Sequence, residues 1–149
     1  MKPVREPAVA GQFYPADAGA LAETVGDLLA GAGRPGGAAR AAERLVALVS
    51  PHAGYVYSGG VAASAYALLS PGAFDRVVIV APSHRVPLRG SAILDRGAYR
   101  TPLGLVPIDE DLAARILALG RGEVVVEPEL DRLEHSLEVQ LPCVQTALG

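Results

Sequence analysis

Two histidines are the residues of this chain whose positions best suggest chemistry. His52 lies two residues after the apolar run 45–50, and His84 lies three residues after the apolar run 76–81. Neutral imidazole is a common ligand of first-row metals, and a stable site needs several donors that converge. Histidines in equivalent places after two apolar runs therefore suggest a shared metal-binding cleft. The alternative is that both are loop histidines that hydrogen-bond to the backbone.

The third histidine and the cysteine are less telling by themselves. His135 lies in a polar group with Glu134 and Glu138, at spacings that place them together on a helix. Such a group is typical of the solvated face of an amphipathic helix. Cys143 lies in an apolar helical pattern and is expected to be a small buried residue. The sequence contains no Gly-x-Ser-x-Gly elbow, so it does not indicate a serine hydrolase.

A strand–helix–strand unit is predicted to position His52 and His84. The runs 45–50 and 76–81 are short and apolar, which favours buried strands, and a helix is expected between them from near Ser58. The predicted buried face of that helix comprises Val61, Ala65, Leu68 and Leu69. Adjacent parallel strands bring their carboxyl ends to one edge of a sheet, where open α/β sheets bind ligands.

The remaining elements also follow from local patterns. Asp17 is predicted to cap a first helix, and Asp109 a later one. A last helix is expected over residues 134–148, with a kink or break at Pro142, because proline cannot donate the helical hydrogen bond. A glycine-rich loop is predicted over residues 31–37, and short strands over residues 91–94, 103–106 and 123–127. Alternating helices and strands indicate an α/β fold.

The composition is that of a globular α/β protein. Of the 149 residues, 50% are hydrophobic and 19% are charged. A net charge of -3 gives no basic surface for nucleic acid or for an anionic membrane. We identify no targeting segment and no apolar run long enough to cross a bilayer, so a cytoplasmic location is expected. The single cysteine excludes an internal disulfide.

Five ordered motifs resemble those of the Memo family. They occupy residues 5–15, 51–59, 81–84, 99–104 and 134–142. Together they cover essentially the whole chain, which makes the resemblance far more specific than any one short pattern. Memo-like proteins are similar to the LigB-like class III extradiol dioxygenases, which use non-haem iron(II). Their bacterial and archaeal members are called AmmeMemoRadiSam system protein B.

The resemblance implies a fold, a cofactor and partners. The fold would be an α/β/α sandwich around a largely parallel or mixed sheet, with a metal-competent cleft at the carboxyl ends of the strands. The family's two N-terminal metal histidines correspond to His52 and His84, and His135 would line the same cleft as a catalytic acid or base. The metal would be iron(II), with copper or zinc as alternatives. The family name implies a radical SAM protein and an AMMECR-type protein as partners.

The Memo family also has a second half, which carries an Asp/His pair and a cysteine that joins the metal. Cys143 does not correspond to that cysteine, because it follows the motif that contains His135. We therefore expect residues 1–149 to be the N-terminal half of a single Memo-like domain, with an incomplete metal site and an exposed apolar face or sheet edge. The missing C-terminal half, or a complementing chain, would be its partner.

Three functions remain open at this stage. The first is a metal-dependent, dioxygenase-like oxidoreductase, active only in the complete protein. The second is a non-catalytic scaffold that holds a metal or an anionic peptide in the same cleft, since a fold does not fix a function. A metal-dependent hydrolase is the third. Oxygen uptake with iron(II) and a catechol would distinguish the first function from the second.

Overall fold

The computed structural model describes residues 2–33 and 45–149, so most of the predicted glycine-rich loop at 31–37 lies outside the described residues. The fold interleaves helices with short strands, which confirms the predicted α/β class. The helices are α1 (Ala18–Gly31), α2 (Tyr55–Tyr66), α3 (Glu110–Leu119), α4 (Pro128–Asp131) and α5 (Leu141–Leu148). The strands are β1 (Val4–Arg5), β2 (Ser91–Ile93), β3 (Ala98–Thr101), β4 (Gly104–Pro107) and β5 (Val124–Val126).

The strands form two small sheets. In the first sheet β3 is central, with β1 parallel on one side and β4 antiparallel on the other. In the second sheet β2 and β5 are parallel, with Ser91 opposite Val124. Strands predicted at 91–94, 103–106 and 123–127 are thus confirmed, with ends that differ by at most one residue. The pairing of β1, which places Arg5 opposite Tyr99, was not predicted.

Both predicted helix caps are present. The side chain of Asp17 accepts a hydrogen bond of 2.9 Å from the backbone N–H of Ala20 at the start of α1. The side chain of Asp109 accepts one of 2.9 Å from the backbone N–H of Leu112 at the start of α3. An N-cap side chain satisfies a backbone donor that has no partner within its helix. Local capping chemistry therefore locates both helix starts correctly.

The central helix α2 buries a different face from the predicted one. Val61 is 67% exposed and Leu68 is 36% exposed. The buried residues of α2 are Tyr55, Gly59, Ala62, Ala63 and Tyr66. Small residues allow α2 to approach α1 closely: a Cβ atom on Gly59 would lie 2.9 Å from a methyl carbon of Leu28. The buried face of α2 therefore combines two tyrosines with small residues.

The two strands of the predicted strand–helix–strand unit are wrong, although the helix between them is present as α2. Neither residues 45–50 nor residues 76–81 belong to a strand, so the parallel pairing expected between them is absent from the described part of the chain. Both segments run without a turn or bend and line one cavity of about 250 Å³. Val46, Val49 and Val80 are at least nine-tenths exposed. The expected exposed apolar surface is therefore present, at the place where the sheet was predicted.

The helix predicted over residues 134–148 is also shorter than expected. Regular helix begins at Leu141 with α5, after a single 3₁₀ turn at Glu138–Gln140. Pro142 lies in the first turn of α5, where a missing N–H costs no helical hydrogen bond. Regular helix therefore begins just before this proline, and the helical dihedral angles of Leu137, Gln140 and Leu141 show that the chain enters α5 without a break.

The main core lies among α1, α2 and α5. Leu21 and Val25 of α1 are fully buried, and Cys143 is 3% exposed. Cys143 packs within the same hydrophobic cluster, which confirms its predicted role as a small buried residue. Among the residues that the structure describes, no helix has the length and hydropathy needed to cross a membrane.

A close backbone contact between Gly97 and the N-terminal arm gives a test of the first sheet. Gly97 has φ +93°, and a Cβ there would lie 2.0 Å from the carbonyl oxygen of Pro3. We expect Gly97→Ala to lower the free energy of unfolding by more than about 2 kcal/mol, because the backbone of β1 would have to move. Urea denaturation followed by circular dichroism measures this change.

The matched control is Gly26→Ala within α1, where a new Cβ meets nothing within 4 Å. This substitution should stabilise the protein by roughly 0.5–1 kcal/mol through helix propensity. Equal effects of the two alanines would contradict the role assigned to the Pro3–Gly97 contact.

Candidate metal centre

The three histidines converge, although the strands that were predicted to position them are absent from the described residues. One ring nitrogen from each of His52, His84 and His135 lies within 4.8 Å of those of the other two. The ring centroids of His52 and His84 are 5.1 Å apart, and those of His84 and His135 are 4.7 Å apart. The predicted proximity of the rings is therefore present. The assignment of His52 and His84 as metal ligands and of His135 as a catalytic residue stays a prediction.

Glu134 positions His84 through two contacts. One carboxylate oxygen accepts a hydrogen bond from the backbone N–H of His84, at 2.5 Å. The other lies 2.8 Å from the Nδ1 atom of His84. The oxygen beside Nδ1 also accepts hydrogen bonds of 2.9 Å from the backbone N–H groups of His135 and Ser136. One buried carboxylate therefore fixes two of the three histidines relative to each other.

The ionisation of Glu134 determines which nitrogen of His84 can bind a metal. Burial would raise the pKa of Glu134, but hydrogen bonds from His84 and Ser136 outweigh burial and lower the pKa to about 2. An ionised carboxylate can only accept hydrogen bonds, so the Nδ1 atom of His84 carries a proton. In the neutral ring the lone pair is then on Nε2. This arrangement is the usual support for a metal-bound histidine.

The loops that carry His52 and His84 are held by the same polar segment. The side chain of Ser136 donates a hydrogen bond of 2.8 Å to the carbonyl oxygen of Pro82. The side-chain amide of Gln140 donates one of 3.0 Å to the carbonyl oxygen of Pro51. Gln140 in turn accepts a hydrogen bond of 2.8 Å from the hydroxyl of Tyr66 on α2. Side-chain contacts thus replace a sheet in setting the positions of both loops.

His135 lies in the most apolar part of the cluster. Its ring packs against Phe13 with centroids 4.7 Å apart, and burial lowers its pKa despite the attraction of the Glu134 charge. A lowered pKa favours the neutral ring, which is the form that binds a metal or accepts a proton. Its Nδ1 atom is buried and has no hydrogen-bond partner among the described residues. A carboxylate oxygen of Glu134 lies 3.4 Å away, so this nitrogen has a negative neighbour although it forms no hydrogen bond.

The N-terminal arm is fixed to the same segment by a buried ion pair between Arg5 and Glu138. Their side chains are 7% and 0% exposed. The Glu138 carboxylate also accepts the backbone N–H groups of Ala8 and Val9, at 2.8 and 3.0 Å, and the hydroxyl of Tyr14 at 2.5 Å. A buried charge needs such a set of donors.

Sequence reasoning missed the function of this polar segment. Glu134 and Glu138 were predicted to lie on a solvated helix face, yet they are 6% and 1% exposed. The buried polar residues are Glu134, Ser136, Glu138 and Gln140. They occupy alternate positions, and helical spacing does not predict that alternation. This alternation of polar residues is the signal that could have distinguished the segment from a solvated helix face.

The donor set suits a transition metal. Imidazole nitrogen binds iron, copper and zinc, and three convergent rings meet the minimum for a protein site. Bonds of about 2.1 Å to a shared metal would bring donor atoms to within roughly 3–3.5 Å of one another. The present limit of 4.8 Å is wider, so the rings would have to move inwards on binding. Fold and site together define an α/β protein with a histidine cluster that could hold a metal ion.

Comparison with known proteins identifies the family. The profile of the family described as Memo-like protein matches residues 5–149. A MEMO1 family protein of Aeropyrum pernix is 39% identical over 98% of this chain, and one of Thermotoga neapolitana is 41% identical over 98% of this chain. This chain therefore belongs to the Memo family.

The chain spans about half the length of these curated relatives. The match covers 53% of the Aeropyrum pernix protein and 54% of the Thermotoga neapolitana protein. It covers 52% of a third relative, MEMO1 family protein MTH_45 of Methanothermobacter thermautotrophicus, which is 39% identical. The remaining part of each relative has no counterpart in these 149 residues.

The buried ion pair gives a prediction for stability. Replacing Arg5 by methionine keeps an unbranched side chain but leaves the Glu138 carboxylate without its countercharge. We expect Arg5→Met to reduce the free energy of unfolding by about 3–5 kcal/mol. Chemical denaturation at neutral pH provides the measurement.

The surface pair between Arg100 and Glu6 is the matched control for the buried pair. These side chains are 44% and 64% exposed and their charged atoms are 3.0 Å apart. Arg100→Met should change stability by less than about 1 kcal/mol, because an exposed pair is screened by water. A loss as large as that of Arg5→Met would show that burial of the Glu138 charge is not the cause.

The contact between Glu134 and His84 gives a second prediction, which needs no metal. In Glu134→Gln the amide can donate as well as accept, so the preference for a proton on Nδ1 of His84 should weaken. Nitrogen NMR shifts of the imidazole should then report a larger fraction of the Nε2–H tautomer.

Glu129→Gln is the control, since Glu129 is 75% exposed and pairs only with Arg132 on the surface among the described residues. Its spectrum should match that of the unmodified protein. An unchanged His84 tautomer in Glu134→Gln would remove Glu134 from the positioning role.

Proposed function

We propose that His52, His84 and His135 form part of a divalent transition-metal site, and that this Memo-family protein supports dioxygenase-like oxidoreductase chemistry when its site is complete. The observation that carries the proposal is the convergence of three imidazole nitrogens within 4.8 Å. Iron(II) is the expected metal, because open positions beside histidine donors suit oxygen chemistry. Copper and zinc are the alternatives.

The three histidines would have different roles. His52 and His84 follow loops that are fixed at Pro51 and Pro82, and they would be the metal ligands. His135 is more deeply buried than His84, with side-chain exposures of 15% and 38%. A neutral ring in a dry position is suited to accept or return a proton, so His135 would be the acid or base. The bound metal would supply Lewis-acid and redox chemistry.

The site needs further ligands. Stable protein sites for these metals generally use three or four protein donors. Using His135 as an acid or base leaves two histidines for the metal. The other donors would come from the part of the fold that the relatives contain beyond the matched region. No contact among the described residues specifically favours the non-catalytic scaffold over this arrangement.

Metal titration tests the proposal directly. The isolated chain should bind iron(II) or zinc weakly and lose it on dialysis, because only His52 and His84 would serve as ligands when His135 acts as the acid or base. Fusion to the second half of a relative should restore tight binding. In the fused protein His52→Ala or His84→Ala should weaken binding by more than about 100-fold, since each removes a direct ligand.

Cys143→Ala is the control variant, because Cys143 is buried in the hydrophobic cluster and its sulfur lies 3.5 Å from the hydroxyl of Tyr55. Its metal affinity should stay nearly unchanged while circular dichroism confirms that it is folded. Tight binding by the isolated chain that is lost in Cys143→Ala would overturn the ligand assignment.

Oxygen uptake by the iron-loaded fused protein with a catechol tests the oxidoreductase part, and His135→Ala should reduce that uptake with little loss of metal.

A further inference from the structure

Two histidines of the cluster are held in different ways. The ring of His84 is held directly, because its Nδ1 atom lies 2.8 Å from a carboxylate oxygen of Glu134. The ring of His52 has no hydrogen bond of its own recorded among the described residues. Its loop is held at the backbone instead, where the Gln140 side chain donates to the carbonyl oxygen of Pro51 at 3.0 Å. That oxygen belongs to the peptide group that joins Pro51 to His52, so the position of His52 depends on the Gln140 amide.

The neighbours of the Gln140 amide decide which way it faces. Its nitrogen faces two carbonyl oxygens, of Pro51 at 3.0 Å and of Ser136 at 3.5 Å. Carbonyl oxygens only accept hydrogen bonds, so an amide turned by 180° would place oxygen against oxygen. The amide oxygen therefore faces the third neighbour, the hydroxyl of Tyr66, at 2.8 Å. Because the amide oxygen also only accepts, this hydroxyl must donate its proton to it.

Tyr66 is well suited to be that donor. It is the last residue of α2 and is 7% exposed, and Gln140 is 6% exposed. Burial raises the pKa of Tyr66, so its hydroxyl keeps the proton at neutral pH. Without the hydroxyl, the buried amide oxygen would lose its donor, and one reason for the amide to keep its orientation would be gone.

We propose that Tyr66 is a positioning residue of the histidine cluster: its hydroxyl orients the Gln140 amide, and the oriented amide holds the peptide group that leads into His52. Helix α2 begins at Tyr55, three residues after His52, and ends at Tyr66. The loop of His52 is thus joined to the start of α2 by the chain and to the end of α2 by hydrogen bonds. The role of His52 as a metal ligand rests on the proposed function, whereas the effect of Tyr66 on the loop does not.

Tyr55 provides a matched control within the same helix. It is 8% exposed, and its hydroxyl donates a hydrogen bond of 2.8 Å to the backbone carbonyl oxygen of Val139. Both tyrosines therefore bury a hydroxyl that makes a bond of equal length to the segment 134–140. Only the hydroxyl of Tyr66 acts on a side-chain amide that can turn. Tyr66→Phe and Tyr55→Phe each keep the ring and remove one hydroxyl, so both variants should fold.

NMR of the metal-free protein tests the positioning role. The backbone nitrogen resonance of His52 reports the hydrogen bond at Pro51, because both atoms belong to one planar peptide group. Tyr66→Phe should shift this resonance and the side-chain amide resonances of Gln140. Tyr55→Phe should leave both near their original values. Urea denaturation should give similar decreases in midpoint for the two variants, since each loses one buried hydrogen bond.

A double-mutant cycle tests whether Tyr66 acts through Gln140. Gln140→Leu removes the amide and should shift the His52 resonance in the same direction as Tyr66→Phe. Adding Tyr66→Phe to Gln140→Leu should then cause little further shift, because both substitutions break the same path. Additive shifts would show that Tyr66 reaches the loop by another route and would overturn the proposal. So would equal shifts in Tyr66→Phe and Tyr55→Phe, or no shift in Tyr66→Phe.

Zinc titration, followed by the ring resonances of the histidines, connects the positioning role to the proposed function. Tyr66→Phe should weaken zinc binding by about threefold to tenfold, less than the loss of a direct partner of a ligand. Tyr55→Phe should leave zinc binding unchanged. Equal zinc affinity in all three proteins would contradict the positioning role and leave the metal function standing. A His52 shift specific to Tyr66→Phe, with histidine rings that do not respond to zinc in the unmodified protein, would support the positioning role and contradict the metal function.

Discussion

The buried carboxylate of Glu138 is the constraint on which the site depends. It is enclosed, and it is satisfied by Arg5, by two backbone N–H groups of the N-terminal arm and by Tyr14. Removing an ionised carboxylate from water is so unfavourable that its partners must all stay in place together. Because those partners lie in the first 14 residues, the arm and the segment 134–140 are fixed as one unit. Neighbouring polar residues of that segment then position the histidines.

Side-chain hydrogen bonds from the segment 134–140 position the loops of His52 and His84, a role that the sequence had assigned to two strands. Glu134 holds His84, Ser136 holds the loop at Pro82, and Gln140 holds the loop at Pro51. Each bond is directional, so the segment specifies orientation as well as proximity. The end of the segment is a 3₁₀ turn over Glu138–Gln140, and regular α-helix begins only at Leu141, with Pro142 in the first turn of α5.

The sequence alone predicted those features that short-range chemistry determines. The caps at Asp17 and Asp109, the short strands and the buried Cys143 depend on neighbours in the chain or on hydrophobicity. The proximity of His52 and His84 was also predicted, and that of His135 was implied by the family resemblance. Features that depend on distant partners were missed. Burial of Glu138 requires Arg5, which is 133 residues away, and the buried face of α2 depends on contact with α1. The runs 45–50 and 76–81 have strand composition, but pairing needs a neighbour at the correct distance.

The unpaired segments and the wide histidine spacing have one physical explanation. The polar segment fixes the histidine loops from one side only, through Pro51, Pro82 and Glu134. The same polar segment contributes Ser136 and Gln140 to the lining of the cavity that residues 45–50 and 76–81 share, and no backbone–backbone hydrogen bond among the described residues involves those two runs. The loops are therefore constrained in orientation but not drawn together, which accounts for donor atoms up to 4.8 Å apart.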